Sequence, residues 1–375
     1  MNQEPSYNQW LEIDKKKFLQ NVSDLKELLG TDIAAVVKGN GYGHGMFEAT
    51  QLFYEAGIRH FCTYHAHAAL GMKRKFPDCR WIAMGPVRRE EFAQYFQEGV
   101  ELFVWDADFL EVLNEAAAQS EHKAKVHLEL ETGMYRTGIP AELACQKIKE
   151  WTELKSLDIC GVCTHFSGAD EEDNLERIDH QLKVWNKAKA TLTPFLKEEV
   201  LWHGESSSAA VYLKERAFTI ARMGILMYGF FPSEWSRQQW PGKSNRPAPA
   251  IRLKARICGY NHLPKGKHTG YGAVYKADSD TPTAIIPVGY ADGFPRNLSH
   301  QWAVKSGQQL LHTLGRINMN MTVFQQAKQK RQEDEEITVI DSTPPYDWYE
   351  AGEKSGRFIY EILTCLPHSL PKVIK

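Results

Sequence analysis

The sequence lacks three things that would assign it quickly. It has almost no net charge: 45 Lys and Arg against 47 Asp and Glu leave −2. Nucleic-acid binders carry a basic excess, so that class is excluded. It has no apolar run approaching about 18 residues, the length a membrane helix needs. The first thirty residues hold no signal-peptide core, so a soluble protein of the cytoplasm is expected. It also lacks a disulfide framework. Its seven cysteines are scattered and odd in number, the pattern of a reducing compartment. Cys160 and Cys163 form the one CxxC, but the run around them reads as a strand. Residues i and i+3 then face opposite sides, which suits buried structural thiols better than a metal or redox pair. No internal repeat and no low-complexity tract is present.

What is present is a large globular composition. The 375 residues are 43% hydrophobic and 25% charged. A core of that size needs no staple. From Asp14 to about Phe230, short apolar runs alternate with helical patterns. The runs are 33–37, 60–64, 80–84, 101–105, 125–131, 157–165, 199–203 and 218–222. Before them, Phe18, Val22, Leu25 and Leu29 share one helical face, with Asp14 as N-cap and Gly30 as stop. Eight strands with interleaved helices predict a parallel (β/α)8 barrel over 14–243, with an open seven-stranded sheet as the competitor. A Pro-, Ser- and Trp-rich stretch, "SEWSRQQWPGKSNRPAPA", reads as a linker. Residues 244–375 then read as a mostly β domain, with a hairpin at Ser306–Gly307. The run "RFIYEILTCL" is taken as one of its strands.

Polar residues collect at the carboxyl ends of the barrel strands, where this fold places chemistry. "VVKGNGYGHG" puts Lys38 at the first end, followed by glycines and Tyr42. Glu129, Glu131 and Arg136 follow the fifth strand, and His165 ends the sixth. His203 and Ser206 to Ser208 end the seventh, and Arg222 precedes Gly224 at the eighth. A phosphate loop fits Lys38 poorly, because there the lysine follows the glycines; GxGxxG fails at His44. A strand-end lysine can condense with an aldehyde cofactor. Ser207 and the N–H groups after Arg222 suit a phosphate, and Arg222 suits a ring nitrogen. Those three contacts together describe pyridoxal phosphate. His65 and His67 form a possible metal pair that lacks further ligands, so no metal is expected.

"AAVVKGNGYGHG" resembles the lysine motif of the alanine racemase family. "ETGMYRTGI", "THFSGAD", "ARMGILMYG", "GYGAVYKA", "PVGYADGFPR", "LGRINMN" and "IYEILTCL" match further motifs in order, over nearly the whole chain. The resemblance implies a barrel with a C-terminal β domain that residues 1–13 join. It implies a homodimer whose active sites are shared between subunits, and an amino acid substrate. Lys38 then resembles the lysine that binds pyridoxal phosphate. Tyr42, Ser207, Tyr360 and the N–H groups of Gly224 and Ile225 resemble its phosphate ligands. Arg222 resembles the partner of the pyridine nitrogen, and Arg136 that of the phenolic oxygen and the substrate carboxylate. Tyr271, from the other subunit, resembles the second base, and His165 its neighbour. Met319 and Tyr290 resemble residues beside the substrate and at its entrance. Inversion needs a base on one face of the α-carbon and an acid on the other, roles the resemblance gives to Lys38 and Tyr271.

Three positions depart from the family pattern. Glu129 replaces a lysine that is often carbamylated, and is expected to pair with Arg136 unmodified. Ser206 replaces an asparagine, and Asn318–Met319–Asn320 replaces Cys-Met-Asp. These changes make serine or a broader substrate range an alternative to alanine. A decarboxylase of the same architecture and a pyridoxal phosphate carrier are the other readings. The β-domain motifs around Tyr271, Met319 and Tyr360 speak against both.

Overall fold

A computed structural model describes residues 7–169, 171–213, 218–241, 246–326 and 335–375. It divides into two compact units. One comprises Leu19–Lys38 and Thr50–Pro247; the other comprises the described parts of Met1–Phe18, Gly39–Ala49 and Ala248–Lys375.

The first unit is a nearly closed eight-stranded parallel barrel, not an open seven-stranded sheet. Its strands in chain order are Asp32–Val36, His60–Thr63, Arg80–Ala83, Glu101–Val104, Ala124–Glu131, Leu157–Cys163, Leu201–His203 and Ile220–Met223. Each pairs in parallel with its neighbour, and the eighth pairs with the first. At the remaining seam the Thr219 N–H donates to the Trp202 carbonyl at 2.9 Å, without a full ladder. All eight predicted runs are strands because each is a short, apolar, β-branched or aromatic run bounded by helix-like sequence. Cys160 is half-buried and Cys163 buried, and both are free thiols.

The helix Lys15–Leu29 begins where Asp14 Oδ1 accepts from the Lys17 N–H at 3.0 Å. Phe18, Val22, Leu25 and Leu29 are all at most 2% exposed. Gly30 ends it in the left-handed region at φ 59°.

The second unit is β-rich. Its six-stranded sheet runs Gln309–His312, Ala303–Ser306, Glu336–Ile340, Ile251–Arg256, Gln9–Ile13 and Lys372–Ile374. The N-terminal strand is antiparallel to Ile251–Arg256 and parallel to the last strand, so both chain ends enter one sheet. The hairpin at Ser306–Gly307 forms, with Gly307 at φ 55°. Gly259–Leu263, Thr281–Ile286 and Thr322–Gln325 make a smaller sheet.

Two expectations need correction. The run "RFIYEILTCL" holds the helix Ile359–Thr364, not a strand. Ile359, Ile362, Leu363 and Leu366 are buried, a spacing of three and four rather than two. The expected linker begins as structure: Ser233 caps a short helix, Glu234–Gln238, and buried Trp240 packs edge-on against Phe231. Residues 242–245 of that stretch lie outside the described residues, as do Asp170 of "THFSGAD" and residues 1–6.

Removing the Asp14 cap by Asp14→Ala should cost about 1 kcal/mol. Urea denaturation checks this; an unchanged midpoint would refute the cap.

Candidate active site

Lys38 stands at the end of the first barrel strand, just after Val37, whose N–H donates to the Cys62 carbonyl at 2.8 Å. The next four residues are left-handed: Gly39, Asn40, Gly41 and Tyr42 have φ of 61°, 54°, 61° and 49°. Such a turn is strained for side chains, which explains glycine at alternate positions. A Cβ on Gly43 would stand 2.2 Å from the Leu363 carbonyl oxygen. The loop therefore passes directly against the C-terminal helix of the β-rich unit. It carries Tyr42 into edge contact with Tyr360, ring centroids 6.0 Å apart. Burial raises the Tyr42 phenol.

The barrel mouth gathers the other groups. Lys38 keeps solvent contact but is ringed by protein atoms. Burial, then Arg136 and Arg222, lower its ammonium from the usual lysine range. A lowered lysine is a larger fraction free amine near neutral pH, hence a better nucleophile. His165 is half-buried, and burial, Arg222, Arg136 and Lys38 push it down to about 3, so it is neutral. Arg222 is only 6% exposed. Its Nη1 donates to His203 Nδ1 at 2.5 Å and to the His203 carbonyl at 2.9 Å, and its Nη2 to the Thr164 carbonyl at 2.8 Å. Three of five guanidinium N–H groups are thus spent, leaving two for a ligand.

Beside it, the N–H groups of Gly224 and Leu226 donate to Ser207 Oγ at 3.2 and 3.4 Å. Ile225 lies between them at the start of a single helical turn. Converging N–H groups and a hydroxyl form an anion cradle. A nucleophilic lysine, an anion cradle and an arginine with unspent donors fit pyridoxal phosphate.

The expected Glu129–Arg136 pair is absent. Glu129 is 6% exposed, while Arg136 is exposed and makes no ion pair among the described residues. The loop between them is turned by Glu131, whose carboxylate accepts from the N–H groups of Gly133 and Tyr135. Arg136 follows this turn, and its charge acts on Lys38 and His165 rather than pairing with Glu129. His65 and His67 stack at 5.3 Å, and no metal-ligating cluster of three occurs among the described residues.

In the β-rich unit, the N–H groups of Tyr290 and Ala291 donate to the carbonyls of Asn318 and Met319 at 3.0 and 2.9 Å. Tyr290 and Met319 are therefore neighbours. Tyr271 stands on a separate turn between two left-handed glycines and is 70% exposed.

Sequence reasoning missed a second layer. Gln181, fully buried, donates to the His165 carbonyl and to Thr132 and accepts from the Ser167 N–H. His127, Glu101 and Arg80 lie inside the barrel behind His203. Their signal was a charged residue opening one apolar run and a histidine in the middle of another.

Comparison with known proteins agrees with this geometry. Residues 13–232 match the model of the alanine racemase N-terminal domain, and residues 250–374 that of the C-terminal domain. The chain therefore belongs to the alanine racemase family, a family of pyridoxal phosphate-dependent amino acid racemases. It is 28% identical to an alanine racemase of Clostridium perfringens, over 98% of this chain and 95% of that one. The solved alanine racemase of Clostridium difficile 630 superposes with a TM-score of 0.91 at 23% identity, covering 99% of this chain and 97% of that one. A histidine racemase from Leuconostoc mesenteroides superposes at 0.88 with 24% identity over the full length of both. Family enzymes act on amino acids and are dimers.

His44, fully buried in the glycine-rich loop, is lowered to about 4 by burial. The unfolded chain, near 6.5, takes up this proton first, so stability should fall as pH drops from about 6.5 to about 4. His44→Gln should flatten that slope by up to about one proton. Urea midpoints across this range would show it; an unchanged slope would contradict it.

Proposed function

We propose that this chain racemises alanine, as a cytoplasmic homodimer, with Lys38 serving one face of the α-carbon and Tyr271 of the partner subunit the other. The observation that carries this reading is the barrel mouth itself. A lysine lowered by burial and two arginines shares it with the Ser207 cradle and the anchored Arg222. The seven free thiols suit a reducing compartment.

Pyridoxal phosphate, when bound, supplies an aldehyde that condenses with amines and a ring that accepts the electron pair left by α-proton removal. Ser207 and the N–H groups around Ile225 would hold its phosphate, with Tyr42 and Tyr360 assigned there by the family resemblance. Arg222 stays protonated, so it would donate to the ring nitrogen rather than surrender a proton to it. That makes the ring a weaker electron acceptor and disfavours side reactions. Lys38 holds or takes the proton at Nζ, eased by its lowered ammonium. Tyr271 holds the opposite proton at its phenolic oxygen. His165, neutral, can accept a hydrogen bond from that phenol without adding charge. Arg136 is the cation for the substrate carboxylate, with the Met319 backbone beside that carboxylate and Tyr290 at the entrance.

Borohydride treatment with pyridoxal phosphate should fix the label on Lys38; a label elsewhere would overturn the site. Chiral chromatography after incubation with L-Ala, L-Ser, L-His, L-Lys and L-Arg should show D-Ala dominating. Dominant D-Ser or D-His would refute alanine and retain racemisation, whereas no D-product from any would refute both. Tyr271→Phe should lose on the order of 10²–10⁴-fold in rate. Equal deuterium exchange in wild type and variant, from both enantiomers, would remove Tyr271 from that role.

A further inference from the structure

A line of polar side chains runs inside the barrel, away from the mouth. It begins where Arg222 Nη1 meets His203 Nδ1 at 2.5 Å. His203 Nε2 lies 2.8 Å from His127 Nδ1, and His127 Nε2 lies 2.6 Å from Glu101 Oε2. Arg80 closes the line with Nε to Oε1 at 2.8 Å and Nη2 to Oε2 at 3.0 Å. His127, His203, Glu101 and Arg222 are at most 6% exposed.

Proton counting leaves one arrangement. Arginine only donates, so His203 Nδ1 must be bare. A neutral His203 then carries its proton on Nε2 and donates to His127 Nδ1, which must also be bare. His127 carries its proton on Nε2 and donates to Glu101. A charged His127 would present a donor to His203 and drive that ring's proton toward Arg222, donor against donor. Glu101 must therefore be an ionised acceptor. Burial pushes its carboxyl up, but His127 and Arg80 outweigh that and hold it at about 2.

The backbone is shaped for this line. A Cβ on Gly161 would stand 2.1 Å from His127 Nδ1, so the neighbouring strand leaves room for the ring. The ladder between those strands shifts register at Val126/His127. Phe103 packs beside both imidazoles, at 5.8 and 5.7 Å.

We propose that Glu101 is a remote positioning residue: its carboxylate fixes the tautomers of His127 and His203 and so holds the Arg222 guanidinium in place. Only the last step, delivery of Arg222 to a cofactor nitrogen, rests on the proposed function. Glu101→Gln keeps the size but offers an amide that donates as well as accepts, so the direction of the line is no longer imposed.

The test uses protein labelled with ¹⁵N-histidine and loaded with pyridoxal phosphate. NMR should show both rings with bare Nδ1 in wild type. In Glu101→Gln at least one ring should change tautomer, kcat should fall about 10–100-fold and KM should stay within about threefold. A protonated Nδ1 in wild type would overturn the proposal. So would unchanged tautomers in Glu101→Gln, or changed tautomers with unchanged kcat. If Glu101→Gln does not fold, the double variant Arg80→Met/Glu101→Gln removes both charges and leaves no orphaned arginine; the same outcomes apply. If wild type racemises nothing, the function fails, while the tautomer readout still decides the positioning.

Discussion

Arg222 is a cation that cannot shed its charge and is almost wholly out of water. Burying such a group is tolerable only when acceptors are supplied, and the barrel supplies three of them from the ends of two strands. The Thr164 carbonyl, the His203 carbonyl and His203 Nδ1 take its protons. This one requirement organises the mouth. It keeps His203 neutral, adds to the forces that keep His165 neutral, and contributes to the lowered ammonium of Lys38. A different residue at 222 would change the chemistry of three others: His203 through direct hydrogen bonds, His165 and Lys38 through charge.

The two halves of the chain contribute different things. The barrel carries Lys38 and Arg222 at strand ends and Arg136 on the loop after its fifth strand. The β-rich unit carries Tyr271 and Met319 on turns, Tyr42 on the glycine-rich loop and Tyr360 on a helix. The glycine-rich loop belongs to the second unit although it directly follows Lys38. Gly43 has no room for a side chain against Leu363, and this close approach ties the loop to the helix that bears Tyr360. The opening of the chain's best-marked motif is thus a packing requirement as much as a binding one.

The barrel was legible because its strands are short apolar runs and its helices are amphipathic, two periods that read clearly. The strand-end residues were legible because a barrel confines chemistry to one rim. The interior line was not legible. Glu101 opens the run "ELFVW" and looks like a solvated strand terminus; only the fold turns it inward toward His127 and Arg80. The Glu129–Arg136 pair was not legible either. Glu129 was expected to pair with Arg136 because the family pattern sets a negative group beside that arginine, but Arg136 is exposed on a loop whose turn Glu131 closes over Gly133 and Tyr135. The helix at Ile359–Thr364 was read as a strand because β-branched and aromatic residues outweighed its spacing of three and four.

The departures from the family pattern differ in weight. Ser206 caps the helix Ser207–Tyr212 by accepting from the Ala209 N–H, a task for which serine and asparagine are equivalent. That substitution therefore preserves the cradle. Asn318–Met319–Asn320 is different. Its backbone is fixed by the bonds to Tyr290 and Ala291, and a Cβ on Gly289 would collide with the carbonyls of Asn318 and Met319. Whatever the backbone of Met319 offers a substrate is thus kept independently of the flanking side chains. Asn320 is exposed and can vary at little structural cost. A fixed backbone with variable side chains is how a site changes its preferred substrate while keeping its reaction. This turn thus combines a backbone held by Tyr290 and Ala291 with exposed side chains at Met319 and Asn320.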